Sequence, residues 1–493
     1  MVSAVRNWLK HFWRTSSTSV KPAPVRLFLE SLEERDCPAV FNIAAGDVAG
    51  LVAAITTSNT NNQADTINLA ANATYSITAP NNTSVGDGTN GLPIVALDTA
   101  IVNSLTINGN GAIIQRSTAV GTVDFRILRV NGVLVLDSIA IANGNASDGV
   151  FGGGISVGAG GRLTVLNSAI INNTHTAQPG GGIGIEGGAG PVNIVNSTIS
   201  GNRTTAAAGN GNGAGIETLN ATGLLTILQS TVANNVATGA GSSGGGMRVA
   251  GTSTVEIRNS ILFGNSDSSG NNDVSNGNLT AGDVTAATSI IRVATGTAIT
   301  GAFSSADPLL GVLQNNGGRT VTHALQTGSS AINTGNNALA PSSTDQRGTG
   351  FNRIIGSTID IGAYEFQPVA VLITLSSNVN PSTFGQAVTF TANVAGTAAN
   401  SNIPQGTVSF VVDGSTVATI GLTNGTASVS ISTLSEGTHS VVATFTPTAT
   451  GDYTFAAGSS NTVSQRVNAA TPAPTTTTTL TSAAAPVSRR WRR

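Results

Sequence analysis

Between residues 133 and 265 apolar and polar positions recur in a fixed order: apolar-x-apolar-x-x-Ser-x-apolar-x-x-Asn. The pattern is anchored at Ser138, Ser168, Ser197, Ser230 and Ser260, at spacings of 30, 29, 33 and 30 residues. Five residues before each serine stand Val133, Leu163, Val192, Leu225 and Val255; five after it stand Asn143, Asn173, Asn202, Asn235 and Asn265. Before the serine the apolar positions alternate with period two, and at the serine the phase slips by one residue. Two short strands joined by a bend produce that slip. A third strand is signalled by Gly152-Gly153-Gly154-Ile155, Gly180-Gly181-Gly182-Ile183, Gly213-Ala214-Gly215-Ile216 and Gly244-Gly245-Gly246-Met247. From the asparagine to that unit the chain varies between 10 and 14 residues, whereas the next step is 8 or 9, so length variation gathers in one loop.

Three short strands per repeat with one variable loop predict stacked coils: an all-β chain built on a right-handed parallel β-helix. One coil cannot bury its own apolar face, but stacking sets like on like. Glycines suit the corners, where φ is positive. The five asparagines are read as a structural ladder between coils rather than a ligand site. Upstream, Leu105-Thr106-Ile107-Asn108-Gly109 reads as a degenerate coil, Leu51-Val52-Ala53-Ala54-Ile55 as a short helix, and 64–69 and 74–78 as strands. From 371 to 467 the pattern changes to long alternating strands, with Asp413-Gly414 as a hairpin signal, as an immunoglobulin-like β-sandwich requires. Four parts follow: an appendage over 1–40, the helix over 41–366 with a closing cap over 305–366, the sandwich over 371–467, and a Thr/Ala/Pro tail with a basic end over 468–493.

Composition narrows the function. The 493 residues include 60 glycines and only 9% charged and 4% aromatic residues. Between Pro38 and Ser488 there are twelve arginines, no lysine and twenty acidic residues, a net of −8. Nucleic-acid binding needs clustered cations and is excluded. No apolar run approaches the roughly 20 residues that span a bilayer. One cysteine, Cys37, excludes a disulfide scaffold and a cysteine-built metal site. No cofactor or metal is expected, and the chain is expected to act as a monomer.

Several segments resemble known families. The GGxI units and terminal asparagines are similar to repeats of polymorphic outer-membrane proteins and of pectin-lyase-like helices. The helix and strands over 51–78 resemble the first coil of secreted bacterial β-helix proteins, where a small helix caps the first rung. Leu27-Phe28-Leu29-Glu30-Ser31-Leu32-Glu33-Glu34-Arg35 with Cys37-Pro38-Ala39 resembles a segment preceding large exported β-rich proteins. Asp307-Pro308-Leu309-Leu310-Gly311, His323-Ala324-Leu325, Asp345-Gln346-Arg347-Gly348 and Asp360-Ile361-Gly362-Ala363-Tyr364-Glu365 together resemble the choice-of-anchor module that closes exported β-helices. Pro381-Ser382-Thr383-Phe384-Gly385 and Glu436-Gly437-Thr438-His439 resemble bacterial Ig-like repeats, which usually act as spacers. These likenesses imply an exported, extracellular or cell-surface protein whose partners are envelope polysaccharide or other surface proteins.

Pectin-lyase-like helices often carry polysaccharide lyases or glycoside hydrolases, so that activity is the alternative. It calls for clustered acids with a cation or Ca²⁺. The helix offers scattered groups, among them Asp124, Asp137, Asp148, Glu186, Glu217, Arg162, Arg203 and Arg248, with no Asp-Asp pair, and His175 in a loop. Asp345, Arg347, Arg353, Asp360 and Glu365 form the one dense charge group and are read as a salt-bridged cap. The expectation is therefore a structural or adhesive surface protein, not an enzyme.

Overall fold

A computed structural model describes residues 38–84, 86–96, 104–206, 209–277, 283–355, 357–397, 403–448 and 455–470. The readings placed on 1–37 and 471–493, Cys37 and the basic end included, lie outside those residues. The repeat folds as a β-solenoid of about eight turns. Its first face stacks Val133–Asp137, Arg162–Leu166, Val192–Val195, Leu225–Leu228 and Val255–Arg258 in parallel. Val40–Ile43, Asp65–Leu69 and Ser104–Asn108 extend it at one end, and Val284–Ile291 and Thr300–Ser304 at the other. The second face runs from Thr74–Ile77 through Ile113–Arg116, Ala140–Ala142, Ala169–Ile171, Thr198–Ser200 and Thr231–Ala233 to Ile261–Phe263.

The expected phase slip has a backbone cause. Ser138, Asn167, Asn196, Gln229, Asn259 and Thr288 sit between these two faces with φ of 45–54°. One left-handed residue turns the chain and inverts the alternation. Asparagine tolerates that region better than most residues.

Two expectations need correction. A coil has four strands rather than three: Asn145–Ala146, Thr174–His175, Arg203–Thr204, Val236–Ala237 and Ser266–Asp267 make a third face of two-residue strands. His175 therefore lies in a strand. The strands that begin at the end of the GGxI units, Ile155–Val157, Ile183–Ile185, Ile216–Leu219 and Met247–Ala250, make the fourth face with Leu128–Val130 and Val274–Asn276 at its two ends. Second, the first repeat is out of step by one residue. Leu134 and Leu136, not Val133 and Val135, pair with Leu163 and Val165 and point inward. A one-residue slip exchanges the two sides of a strand.

Inside the coils Leu134, Leu163, Val192, Leu225 and Val255 form one column and Leu136, Val165, Ile194, Ile227 and Ile257 the next, all fully or almost fully buried. Each such side chain contributes about 1.5–3 kcal/mol by leaving water. At the N-terminal end the helix Val48–Ser58, capped by Asp47 accepting from Gly50 N at 2.8 Å, lays Leu51, Ala54 and Ile55 into this core. At the other end Thr300–Ser304 is exposed throughout.

The C-terminal strands pack as two antiparallel layers around Phe390, Phe410, Phe445 and Phe455. Val388–Gly396 lies between Val371–Ser377 and Thr426–Ile431, and Gly437–Pro447 lies between Gly406–Val412 and Val463–Asn468. Asp413 and Gly414 join Gly406–Val412 to Ser415–Gly421 with φ of 50° and 82°, both positive as a type I′ turn demands.

Candidate functional site

Of the five repeat asparagines, four act as a ladder. The main-chain N–H and the side-chain amide of Asn173 both donate to Asn202 Oδ1 at 3.0 Å, and Asn202 repeats this to Asn235 and Asn235 to Asn265 at 2.9–3.0 Å. Each amide also donates to the carbonyl of the coil below, at Ile141, Ile170, Ile199 and Val232. Asp273 ends the ladder by accepting both N–H groups of Asn265. Asn143 is not a member. The register shift puts Gly144 at its rung, donating to Asn173 Oδ1 at 2.9 Å, while Asn143 takes the left-handed corner at φ 59°. Positive φ and ladder bonding are thus divided between neighbours: Asn172 and Asn234 turn, Asn173 and Asn235 bond.

The GGxI glycines belong to the same device. A Cβ on Gly154 would stand 2.8 Å from the amide of Asn173, and one on Gly246 would stand 2.8 Å from that of Asn265. The last glycine before the apolar residue leaves room for the ladder. A second column runs through the serines. Ser168, Ser197, Ser230, Ser260 and Ser289 each accept an N–H from the coil before at 3.1–3.2 Å and donate to a carbonyl of their own coil. The recurrence of serine at the same place in every repeat was the signal for it.

The segment over 305–366 does not close the last coil. It lies along the second face, reaching from Asn110 to Ile290. Thr320 bonds Asn167 O at 3.0 Å, Gln346 bonds Thr198 at 2.6 Å, His323 bonds Ser200 at 2.9 Å, Ala363 N bonds Thr231 at 3.1 Å, and Asn336 and Asn259 bond each other twice. Leu325, Ala331 and Ile361 pack against Ile261 and Ile290. Outward residues of this face, such as Thr198, Thr231 and Ile261, are consequently buried.

The five charges expected there do meet, and all are buried. Arg347 forms a 2.6 Å ion pair with Asp345 and lies between the rings of Phe351 and Tyr364, 3.9 and 3.8 Å from their centroids. Asp345 also accepts from Glu365 N, and Glu365 accepts from the main chain of Ile355 and Asp360. Asp360 in turn accepts from Asn333 N and Phe366 N. Arg353 donates to the carbonyls of Asp360 and Gly362. Burial, with the adjacent Asp360, pushes the Glu365 carboxyl up to about 8, and burial pushes that of Asp360 up to about 6. Every carboxylate here holds main-chain N–H groups that no repeat supplies.

A further set on the fourth face was not grouped from the sequence. Arg129 donates to both oxygens of Glu186, to Asp87 and to Ser156 at 2.8–3.1 Å. Arg126 binds Asp148, Asn90 and the carbonyls of Val150 and Phe151. One coil apart and directly in register, Glu217 and Arg248 pair at 2.7 Å. Glu217 is fully buried, its Oε2 has no partner among the described residues, and burial pushes its carboxyl up to about 8 against the pull of Arg248. Their separation of 31 residues, one coil, was the available signal. Asp124 pairs with Arg116, and Asp137 accepts from Asn167; Arg162 and Arg203 are exposed. His175 accepts two main-chain N–H groups at Nδ1 and meets Val150 O at Nε2, and burial pushes its imidazole down to about 4. Among the described residues no three His, Cys, Asp or Glu side chains gather as a metal would need.

This architecture is that of an all-β solenoid protein carrying an Ig-like domain, a combination that fits structural and surface proteins in general. Residues 375–468 match the bacterial Ig-like domain (group 3) family. No curated protein and no solved structure matches the chain. No described helix is long and apolar enough to cross a membrane.

Proposed function

We propose that this is an exported structural or adhesive protein of the cell surface, with the solenoid as a stalk or binding surface and the Ig-like domain as a spacer. The observation that carries the reading is the disposition of polar groups along the solenoid. Its ladders bond coil to coil, and the buried side chains of Arg126, Arg129 and Glu217 are bound to Asp148, Glu186 and Arg248. Such groups make a rod cohere and leave little to act on a substrate. The match to an Ig-like family often found on extracellular proteins supports export. Envelope polysaccharide or another surface protein is the proposed partner.

The alternative, a polysaccharide lyase or glycoside hydrolase, would need an acid within reach of the sugar, and the Glu217 carboxyl, which burial pushes up to about 8, is closed off from solvent. The test is to incubate the full chain and Glu217→Gln with acidic polysaccharides, with and without Ca²⁺. No turnover by either protein agrees with the structural reading. Robust turnover that the substitution abolishes overturns it. Cell fractionation tests export, and a purely cytosolic distribution would sink that part.

A further inference from the structure

The flank segment has a cleft that its own packing does not use. Strands Leu310–Gln314 and Thr322–Leu325 form an antiparallel pair, and beside it the chain 364–369 borders a cavity of about 340 Å³. Its walls carry four carboxamides, Gln314, Asn316, Gln326 and Gln367, and two rings, Tyr364 and Phe366. No side chain that is charged at neutral pH lines it. Among the described residues the amides of Gln314 and Gln326 have no hydrogen-bond partner. Asn316 uses only its amide nitrogen, on Thr322, and Gln367 only its own, on Asn352. The cleft therefore offers two whole carboxamides and two free amide oxygens beside aromatic surface.

We propose that this cleft binds a neutral oligosaccharide. A carboxamide presents a donor and an acceptor on one plane, which suits adjacent hydroxyls that each donate and accept. Aromatic surface takes the C–H face of a sugar ring, and the absence of ionic groups disfavours uronic acids, whose carboxylates would lose water without a cation to meet them. A peptide added as a strand would need a row of free main-chain groups. The two-stranded sheet has such edges, but the polar groups gathered in the cleft are side-chain carboxamides, which suit hydroxyls better. Arg347 fixes the Tyr364 ring by stacking on it, so the aromatic wall is preformed. The inference rests on the adhesive reading and gives it a ligand class.

The test uses calorimetric titration of the full chain with cellohexaose, maltohexaose, xylohexaose and chitohexaose, with hexagalacturonate as the charged counterpart. The expected result is saturable binding of at least one neutral hexamer, weakened at least tenfold in Gln314→Ala/Gln326→Ala, whose side chains make no hydrogen bond among the described residues while their main chains stay in the strand pair and its turn. That variant should melt like the parent. No binding of any neutral hexamer, preference for hexagalacturonate, or binding indifferent to the double substitution overturns the proposal. A neutral Gly/Ser peptide that binds in place of the sugars does so too. Chromatography of the recovered hexamer separates the two readings: intact sugar bound at the cleft supports both, whereas cleaved sugar contradicts the non-catalytic reading alone.

Discussion

The coils and the segment strapped along them solve the same problem with opposite chemistry. In the central coils, the N–H groups of Ser168, Ser197, Ser230 and Ser260 and of Asn173, Asn202 and Asn235 find a neutral side chain of their own kind one rung away, serine on serine or asparagine on asparagine. The flank segment has no repeat and hence no equivalent rung. It satisfies its main chain with buried carboxylates, Asp345, Asp360 and Glu365, and balances them with Arg347 and Arg353. Periodicity makes neutral satisfaction available, and irregular structure recruits ions. The ionic solution is the more fragile, because removing one member strands another in a low dielectric.

Asp345→Ala should accordingly be the most damaging single change. It leaves Arg347 buried without its carboxylate and the N–H of Glu365 without an acceptor, a loss of about 3–5 kcal/mol. Denaturant unfolding should show it, and proteolysis should strike 305–366 before the coils. A loss under about 1 kcal/mol would break the contrast. In the ladder, Asn202→Ala deprives Asn173 of its acceptor and Ile170 O of its donor, costing about 2–3 kcal/mol by the same measurement. Asn143→Gly, at a left-handed corner off the ladder, should cost under about 1 kcal/mol. Equal losses at the two positions would show that the ladder is no ladder.

Acidity should act on the two regions in opposite senses. Glu365 and Asp360 titrate higher in the fold than their ordinary 4.5 and 3.8. Their contribution is complete at about pH 4 and is lost as pH rises through about 6 and then 8. His175 titrates lower, at about 4 instead of 6.5, so its contribution to the coils is present above 6.5 and is lost as pH falls through 4. Hydrogen exchange followed from pH 4 to 8 should show protection weakening with pH over 333–366 and strengthening around His175. A common direction would refute the division. One serine rung should matter less than one asparagine rung. Ser230→Ala leaves Ser197 N without its hydroxyl acceptor and should cost about 1 kcal/mol.

Much of this was legible in the sequence, and what was not has identifiable causes. The period, the GGxI units and the left-handed bend left a one-residue phase slip that can be read directly. The register of the first repeat could not be, because Val133-Leu134-Val135-Leu136 is apolar at all four positions and alternation there has no phase. Two-residue strands such as Thr174–His175 are too short to carry any period. The five charges of the flank segment stood out because the rest of the chain is almost uncharged. Their neighbours in the coils did not: Thr198, Thr231 and Asn259 are ordinary repeat positions until a second segment covers them. Glu217 and Arg248 were visible singly, and aligning their coils would have paired them.

The central structural claim is that 305–366 lies along the side of the solenoid and leaves the last coil uncovered. Ala363 N stands 3.1 Å from Thr231 Oγ1, which places these two residues side by side. The direct measurement compares oxidation of T231C/A363C with that of F303C/A363C in the full chain carrying Cys37→Ser. Lateral packing predicts a near-complete intramolecular crosslink in the first variant and none in the second. A crosslink through Phe303, with none through Thr231, would place the segment over the end of the stack and contradict the account.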